Sequence, residues 1–256
     1  MAFMPQYREV YDSRLNSQAV AALWFVCSPT GNMIEHRFLP DGCMDLIVRA
    51  RVRDGVIVET FLFVAGPALL GQCVPIDGDA VYAGIRFRPA WGAVCLRLDA
   101  RETAESIVSE QALPRALDKI RDHLAAMTNP AQLLAALAET AGRLSEGRAS
   151  YWRPDAAVDL IQQGRLSLQE VARRLCLSER ALRREVLAAT GLSPKALCSI
   201  ARVRKAVQAL GDSGRSLAEV ADMCGYSDQS HMTRDFQRMA KRTPNQIRAK
   251  YLAEIF

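Results

Sequence analysis

The sequence predicts a chain of two unlike parts, a β-rich N-terminal part and an all-α C-terminal part, joined by a helical connector. Residues 165–245 repeat one helical pattern twice. Residues 1–102 contain short apolar runs separated by Gly and Pro turns, which is typical of a β-barrel or a sandwich. Residues 103–147 change to apolar stripes with helical spacing. These three observations predict a multidomain α and β chain.

The predicted strands of residues 1–102 follow from apolar runs between turn residues. Val20–Cys27 is an apolar run that precedes a Ser-Pro-Thr-Gly-Asn turn. The Asp54-Gly55 pair lies between Arg49–Arg53 and Val56–Val64 and predicts a hairpin. Ala80–Phe87 predicts a further strand.

The connector, residues 103–148, is predicted to be helical and to end in a linker. Helical patterns cover Glu102–Val108 and Pro114–Met127, and Asn129-Pro130 is a helix start. Gly142–Ser150 is rich in small and polar residues and predicts a linker. The connector helices either pack on the strands or pair with a second subunit. A homodimer is therefore one of two alternatives.

The repeat in residues 165–245 predicts two helix-turn-helix units, about 165–187 and 215–239. Each begins with an L-x-E-V-A helix, at Leu168 and at Leu217, and continues through a turn into a second helix. A long helix, Ser193–Leu210, joins the two units. One such pattern is equally typical of a helical bundle. Two copies on one chain favour DNA binding, in which the second helix of each unit enters the major groove.

The second unit carries a family signature. Gly225–Phe236, followed by Thr243–Arg248, resembles the C-terminal domain of the AraC/XylS family of bacterial transcription regulators. The chain departs from that pattern at Met232, Val186 and Cys176, where the family has Phe or Leu, Phe, and Gly. The resemblance implies a DNA-binding domain over residues 149–256. It also implies double-stranded DNA as a partner, and RNA polymerase as another if the chain is an activator. The seven cysteines include no C-x-x-C pair and are an odd number, which favours reduced thiols and a cytoplasmic location.

A second resemblance concerns the N-terminal part. Leu39–Ile47 (LPDGCMDLI) and Gly84–Pro89 are similar to the N-terminal sensor domain of a subgroup of these regulators. The resemblance implies a cupin-like β-barrel over residues 1–102, which in some relatives holds a small-molecule effector.

The exposed faces of the two second helices predict the side chains that read bases. Leu182 and Val186 face the core in the first unit, and Met232 and Phe236 in the second. Arg binds guanine, and Gln binds adenine, through two hydrogen bonds. Helix starts preceded by Ser or Thr are predicted to hold backbone phosphates. The candidate DNA-contacting residues are Arg180, Arg183, Arg184, Gln229, Ser230, Thr233, Arg234, Ser193, Lys195 and Thr243.

Arg86 and Arg88 suggest an effector site in the N-terminal part. They alternate around Phe87 and are expected on one strand face. If this face points inward, the two arginines hold an anionic effector between apolar walls formed by Trp24 and Trp91. The alternative is that they pair with Asp41 or Asp45 for structural reasons.

Charge and composition narrow the function classes. Residues 150–256 carry 18 Lys and Arg against 11 Asp and Glu, whereas residues 1–149 carry 15 against 17, so the positive charge lies with the repeated motif. The sequence has no secretory signal, no membrane span, and only three histidines. We therefore expect no enzyme, no metal and no cofactor. The alternative is a β-barrel small-molecule binder or enzyme whose helical domain contacts proteins.

Overall fold

The computed structural model describes residues 7–10, 18–28, 31–146, 152–212 and 214–254. Within them the β-rich part precedes the all-α part, as predicted. No helix of these ranges is long and apolar enough to cross a membrane. The strands are Arg8–Val10 (β1), Val20–Cys27 (β2), Ile34–Phe38 (β3), Met44–Arg53 (β4), Val56–Ala65 (β5), Gln72–Ile76 (β6), Ala80–Phe87 (β7) and Ile107–Val108 (β8).

The described strands form two antiparallel sheets. Six of them pair in the order β1-β2-β7-β4-β5-β8, and β3 pairs with β6 in a separate two-stranded sheet. The predicted strands Val20–Cys27 and Ala80–Phe87 are confirmed, and they pair with each other. The predicted hairpin is also confirmed, since Asp54 and Gly55 join β4 to β5 with φ of +51° and +79°. Positive φ at both residues is what a type I′ turn requires.

Helices occupy the end of the N-terminal part, the connector and the C-terminal part. Short 3₁₀ turns also occur at Glu110–Ala112 and Arg115–Leu117. The α-helices are Gly92–Leu96 (α1), Ala100–Thr103 (α2), Asp118–Ala125 (α3), Pro130–Ser145 (α4), Trp152–Gln163 (α5), Leu168–Arg174 (α6), Glu179–Thr190 (α7), Pro194–Leu210 (α8), Leu217–Met223 (α9), Gln229–Ala240 (α10) and Pro244–Glu254 (α11).

The six-stranded sheet packs against helices on one face and against the two-stranded sheet on the other. Side chains alternate along each strand, so neighbouring residues face opposite sides. Leu46 and Ile85 point to one side, where α1, α3 and α4 complete the core. Trp24 and Ile47 point to the other side, where they pack against the two-stranded sheet through Ile76. The connector helices of this protomer therefore cover one face of the sheet.

Two connector predictions need correction. The helix expected over Glu102–Val108 ends at Thr103 because Glu105 is left-handed (φ +57°) and Ile107–Val108 pairs with the end of β5. The backbone hydrogen bond from Gly66 N–H to the Ser106 carbonyl, 2.9 Å, holds this arrangement. The linker expected at Gly142–Ser150 begins later, since residues 142–145 are the last turn of α4. Residues 147–150 lie outside the described residues.

The two parts of the chain touch each other. Leu69 and Ala90 of the N-terminal part join the apolar cluster that forms the core of the C-terminal part. The backbone N–H of Gly71 donates to the carbonyl oxygen of Met239 at 2.5 Å. The segment between β5 and β6 therefore lies against the C-terminal end of α10.

Candidate nucleic-acid interface

Two helix pairs, α6 with α7 and α9 with α10, form the predicted helix-turn-helix units. The first helix of each starts with a capping box, in which Ser and Glu satisfy each other's backbone N–H groups. Glu170 accepts from the Ser167 N–H at 2.7 Å, and Glu219 accepts from the Ser216 N–H at 2.7 Å. The same local chemistry therefore starts both units.

The turns of the two units share their backbone geometry at one position. Cys176 has φ +56° and Gly225 has φ +76°, both in the left-handed region. The residue that follows donates its N–H back into the first helix, from Leu177 to the Ala172 carbonyl and from Tyr226 to the Ala221 carbonyl. The second turn, 224–228, is one residue longer than the first, 175–178. The Cys that departs from the family pattern thus keeps the conformation for which Gly is suited.

The inner faces of α7 and α10 are the predicted ones. Leu182, Val186, Met232 and Phe236 are all fully buried. They belong to one apolar core that also contains residues of α5, α8 and α9. Val186 and Met232, two of the departures from the family pattern, therefore fill core positions.

A buried acid helps to place α10. Asp235 accepts from Arg238 at 2.8 Å within the helix and lies 3.9 Å from Arg202 of α8. The guanidinium of Arg202 also lies over the ring of Tyr226, 5.2 Å from its centroid. The second helix of this unit is thereby fixed to the long helix that joins the two units.

The outer face of α7 is strongly basic. Arg180, Arg183 and Arg184 are exposed. Arg183 lies 3.4 Å from Glu179 of the previous turn, an ion pair whose side chains are about half exposed. Such a surface pair is weak. The guanidinium groups of this face can therefore reorient toward a nucleic acid.

The outer face of α10 is polar rather than strongly basic. Gln229, Ser230 and Arg234 are exposed. Thr233 is half-buried and its hydroxyl donates to the Gln229 carbonyl at 2.9 Å, so the geometry favours its neighbours over it as base contacts. The two second helices therefore present different chemistry.

Two further helix starts frame these faces. Ser193 caps α8 by accepting from the Ala196 N–H, and Thr243 accepts from the Gln246 N–H at the start of α11. Lys195 is exposed in the first turn of α8. Free N–H groups at a helix start, together with a nearby cation, suit a phosphate oxygen. Arg173 and Arg174, exposed at the end of α6, are further cations that the helical pattern alone did not single out.

A second candidate site is a cavity of about 290 Å³ between the two sheets. Its walls are mostly apolar, and Asp41, Asp45 and Arg86 lie among them. Trp24 and Arg86, two of the predicted effector residues, line it. Arg88 follows β7 and is exposed, and Trp91 is buried in the core on the helix-covered side, so neither is part of the lining.

Arg86 is bound on several sides by acidic groups. Its Nε lies 3.1 Å from Asp45 and 3.2 Å from Asp41, and its Nη1 lies 3.3 Å from Glu9. Nη1 also donates to the hydroxyl of Tyr7 at 3.3 Å. This is the structural pairing that the sequence left as the alternative to an anion site.

Burial and charge act against each other in this cluster. Burial raises the pKa of Asp45, whereas the charge of Arg86 lowers it, and the net direction is upward. Burial acts to lower the pKa of Arg86, but Asp45 and Asp41 raise it above its ordinary value. The guanidinium therefore remains charged at any physiological pH. Among the described residues no group of three or more His, Cys, Asp or Glu is placed to hold a metal ion.

The comparisons with known proteins divide the chain in the same way as the fold. Residues 171–250 match a family described as a helix-turn-helix domain, and residues 15–109 match a domain of unknown function (DUF6597).

The curated relatives match about 80 residues of the chain. The HTH-type transcriptional activator RhaS of Klebsiella pneumoniae is 35% identical over 80 residues, 31% of this chain and 29% of the relative. RhaS of Escherichia coli is 36% identical over 78 residues, 30% and 28% of the two chains. The chain thus spans less than a third of the length of these relatives.

A solved structure is also similar to part of the chain. It is a transcriptional regulator from Chromobacterium violaceum, described by its AraC-type DNA-binding domain. The sequence identity is 24% and the TM-score 0.39, over 41% of this chain and 96% of the other.

Proposed function

We propose that this chain, whose residues 171–250 form a helix-turn-helix domain of the AraC type, is a sequence-specific DNA-binding transcription regulator. The observation that carries the proposal is the pair of helix-turn-helix units with matching caps, turns and buried faces. Each unit presents an exposed polar or basic face on its second helix. In this proposal the chain acts by binding DNA and does not catalyse a reaction.

The two units define the kind of DNA site. The long helix α8 packs against both of them, so they enter the duplex as one body. Successive major grooves on one face of DNA lie about 34 Å apart, which is one helical turn. One protomer then covers two short blocks spaced by about ten base pairs. The site is asymmetric because α7 presents arginines where α10 presents Gln229 and Ser230.

The parts of the chain receive separate roles in this proposal. Residues 149–256 bind DNA, residues 103–148 connect, and residues 1–102 form an effector-responsive sensor whose ligand occupies the cavity between the sheets. The supporting observation is a cavity with apolar walls and a few converging polar groups, which is the usual form of a small-molecule site. If the chain activates transcription, RNA polymerase is its second partner.

The test is DNA binding by the full chain across a salt series. The probes are the genomic fragment upstream of its own gene and a shuffled fragment of equal length and composition. We expect tighter binding to the first, and an affinity that falls steeply with salt because phosphate contacts release counterions. Equal binding to both fragments, or none by folded protein, would overturn the proposal and favour a helical domain that contacts proteins.

A further inference from the structure

The cavity between the two sheets has one polar end and otherwise apolar walls. Aromatic side chains from several strands form these walls, among them Trp24 of β2, Phe38 of β3 and Phe63 of β5. Trp24 and Phe38 lie with their ring centroids 6.2 Å apart. A volume of about 290 Å³ suits a ligand with one or two rings, at the small end of ligand pockets.

The polar end carries an excess of negative charge. Among the described residues that line the cavity, the charged side chains are Asp41, Asp45 and Arg86. All three side chains are less than one-fifth exposed. Two carboxylates and one guanidinium leave one net negative charge in a region of low dielectric constant, where an uncompensated charge is costly.

The polar end is unsuited to an anion because Arg86 is already occupied. Its Nε and Nη2 donate to Asp45, and its Nη1 faces Glu9 and the Tyr7 hydroxyl. An anionic ligand would have to displace one of these acceptors while lying beside the two carboxylates of the lining. Like charges at such separations repel strongly when solvent is excluded.

The same end is suited to a cation. An ammonium group beside Asp41 and Asp45 would bring the charge of the lining to zero. Asp41 lies on the loop before β4, where it accepts from the backbone N–H of Cys43 at 2.8 Å and pairs with Arg86 Nε at 3.2 Å, whereas Asp45 accepts from both Trp24 and Arg86. The Asp41 side chain is 19% exposed and that of Asp45 is 16% exposed, so Asp41 is the slightly more accessible partner.

The geometry points to a small aryl-alkyl ammonium compound as the ligand class of this cavity, with its ammonium group at Asp41 and Asp45 and its ring between the aromatic walls. This inference deepens the effector response of the proposed function and replaces the anionic effector that the Arg86 and Arg88 pattern suggested.

Three probes of matched shape test the inference on the full chain without DNA. They are 2-phenylethylamine, 2-phenylethanol and 3-phenylpropanoate, titrated by calorimetry at pH 7. We expect the amine to bind at least tenfold more tightly than the alcohol, and the carboxylate to bind more weakly than both. Equal binding of amine and alcohol, tighter binding of the carboxylate, or no binding of any probe at millimolar concentration would overturn it.

Two variants locate the ammonium group. Asp41→Asn should weaken amine binding at least tenfold and leave alcohol binding within twofold. The matched control is Asp79→Asn, which removes the same charge outside the lining from an exposed pair with Arg51 and should change neither affinity. Unchanged amine binding in folded Asp41→Asn protein would overturn the assignment.

The probe comparison on the unmodified chain decides the ligand class even if Asp41→Asn does not fold. Since no DNA is present, these outcomes are independent of whether the chain binds a specific sequence.

Discussion

Cys176 and Gly225 occupy the same place in the two helix-turn-helix turns, and both have a left-handed backbone, with φ of +56° and +76°. A residue with a β-carbon is strained in this conformation by about 1–2 kcal/mol, whereas glycine is not. The first unit therefore keeps strain that the second avoids.

Replacing Cys176 by Gly should stabilise the chain. We expect the free energy of unfolding to rise by up to about 1 kcal/mol, because relief of the strain outweighs the extra flexibility of glycine in the unfolded chain. Urea denaturation followed by circular dichroism measures the change. Cys176→Ala removes the thiol but keeps the β-carbon, so it should give no gain. An equal gain in both variants would show that the thiol, and not the backbone, is responsible.

Gly225→Val should have the opposite effect. A β-carbon built at Gly225 meets nothing within 4 Å, so the penalty is one of backbone strain and not of collision. We expect a loss of at least about 1–2 kcal/mol, since a branched residue is poorly suited to positive φ. DNA binding should fall together with stability. Gly225→Asn is the control, because Asn tolerates the left-handed region and should retain most of both.

Arg184→Ala and Arg234→Ala should each relax base preference in a different block of the DNA site. Both side chains are exposed, one on α7 and one on α10. A bidentate contact to guanine contributes about 1–3 kcal/mol of discrimination. Binding profiles over a randomised DNA library, for the unmodified chain and both variants, provide the measurement. A uniform loss of affinity at all positions would mean that these arginines only contact phosphates.

Lys195→Ala should weaken binding to every sequence alike. Lys195 is exposed in the first turn of α8, where a phosphate contact carries no base information. We expect the slope of log affinity against log salt to become shallower by about 0.9. Lys119→Ala, in the connector helix α3, is the control and should leave the slope unchanged. A change in base preference would contradict a phosphate role.

Arg86→Met should destabilise the N-terminal part in a pH-dependent way. Removing the guanidinium leaves Asp41 and Asp45 without a buried partner, a loss on the order of 3–5 kcal/mol at neutral pH. Burial raises the pKa of Asp45, and Arg86 opposes that rise, so the variant should have a still higher pKa. The folded variant then binds a proton more tightly than the unfolded chain. Its free energy of unfolding should therefore increase as the pH falls from 7 toward about 4.

Urea titrations at pH 7.5 and 5.0 measure this effect. Arg49→Met is the matched control, since Arg49 of β4 pairs with Asp77 of the turn between β6 and β7 and is more exposed than Arg86. We expect a loss on the order of 1 kcal/mol there. The hydrogen bond from Arg49 lowers the pKa of Asp77 in the folded chain. The pair therefore stabilises the fold at pH values above the pKa that Asp77 has in the unfolded chain, and this stabilisation is lost in acid. If the free energy of unfolding of Arg86→Met fell further below that of the unmodified chain at pH 5.0 than at pH 7.5, the raised pKa of Asp45 would be contradicted.

Local patterns predicted much of the fold. Three of these patterns are decided by neighbours in sequence: the apolar run Val20–Cys27, the Asp54-Gly55 turn, and the inward spacing of Leu182 and Val186. The strand at Ile107–Val108 was missed because its partner, the end of β5, lies about forty residues away in the chain. Its short apolar pair fits a helix equally well when read alone.

The two candidate sites also differ in whether local sequence or contacts between distant residues determine them. The exposed arginines of α7 follow from helical periodicity within one element. The charge balance of the cavity depends on β7 lying between β2 and β4, which brings Arg86 opposite Asp45 and Ala22. The pattern around Phe87 singled out Arg86 and named Asp41 or Asp45 as its alternative partners. It could not show that both carboxylates, together with Glu9, lie around the guanidinium, because their approach depends on the fold.

The segment between β5 and β6 has a cavity on one side and α10 on the other. Leu70 lines the cavity, and the next residue, Gly71, donates its N–H to Met239 of α10. Where binding at two sites is coupled, the coupling is reciprocal. If an occupant of the cavity changes the affinity for DNA tenfold, DNA must change the affinity for that occupant by the same factor, about 1.4 kcal/mol. Under the proposed function, the DNA site would then itself act as an allosteric effector of the N-terminal part.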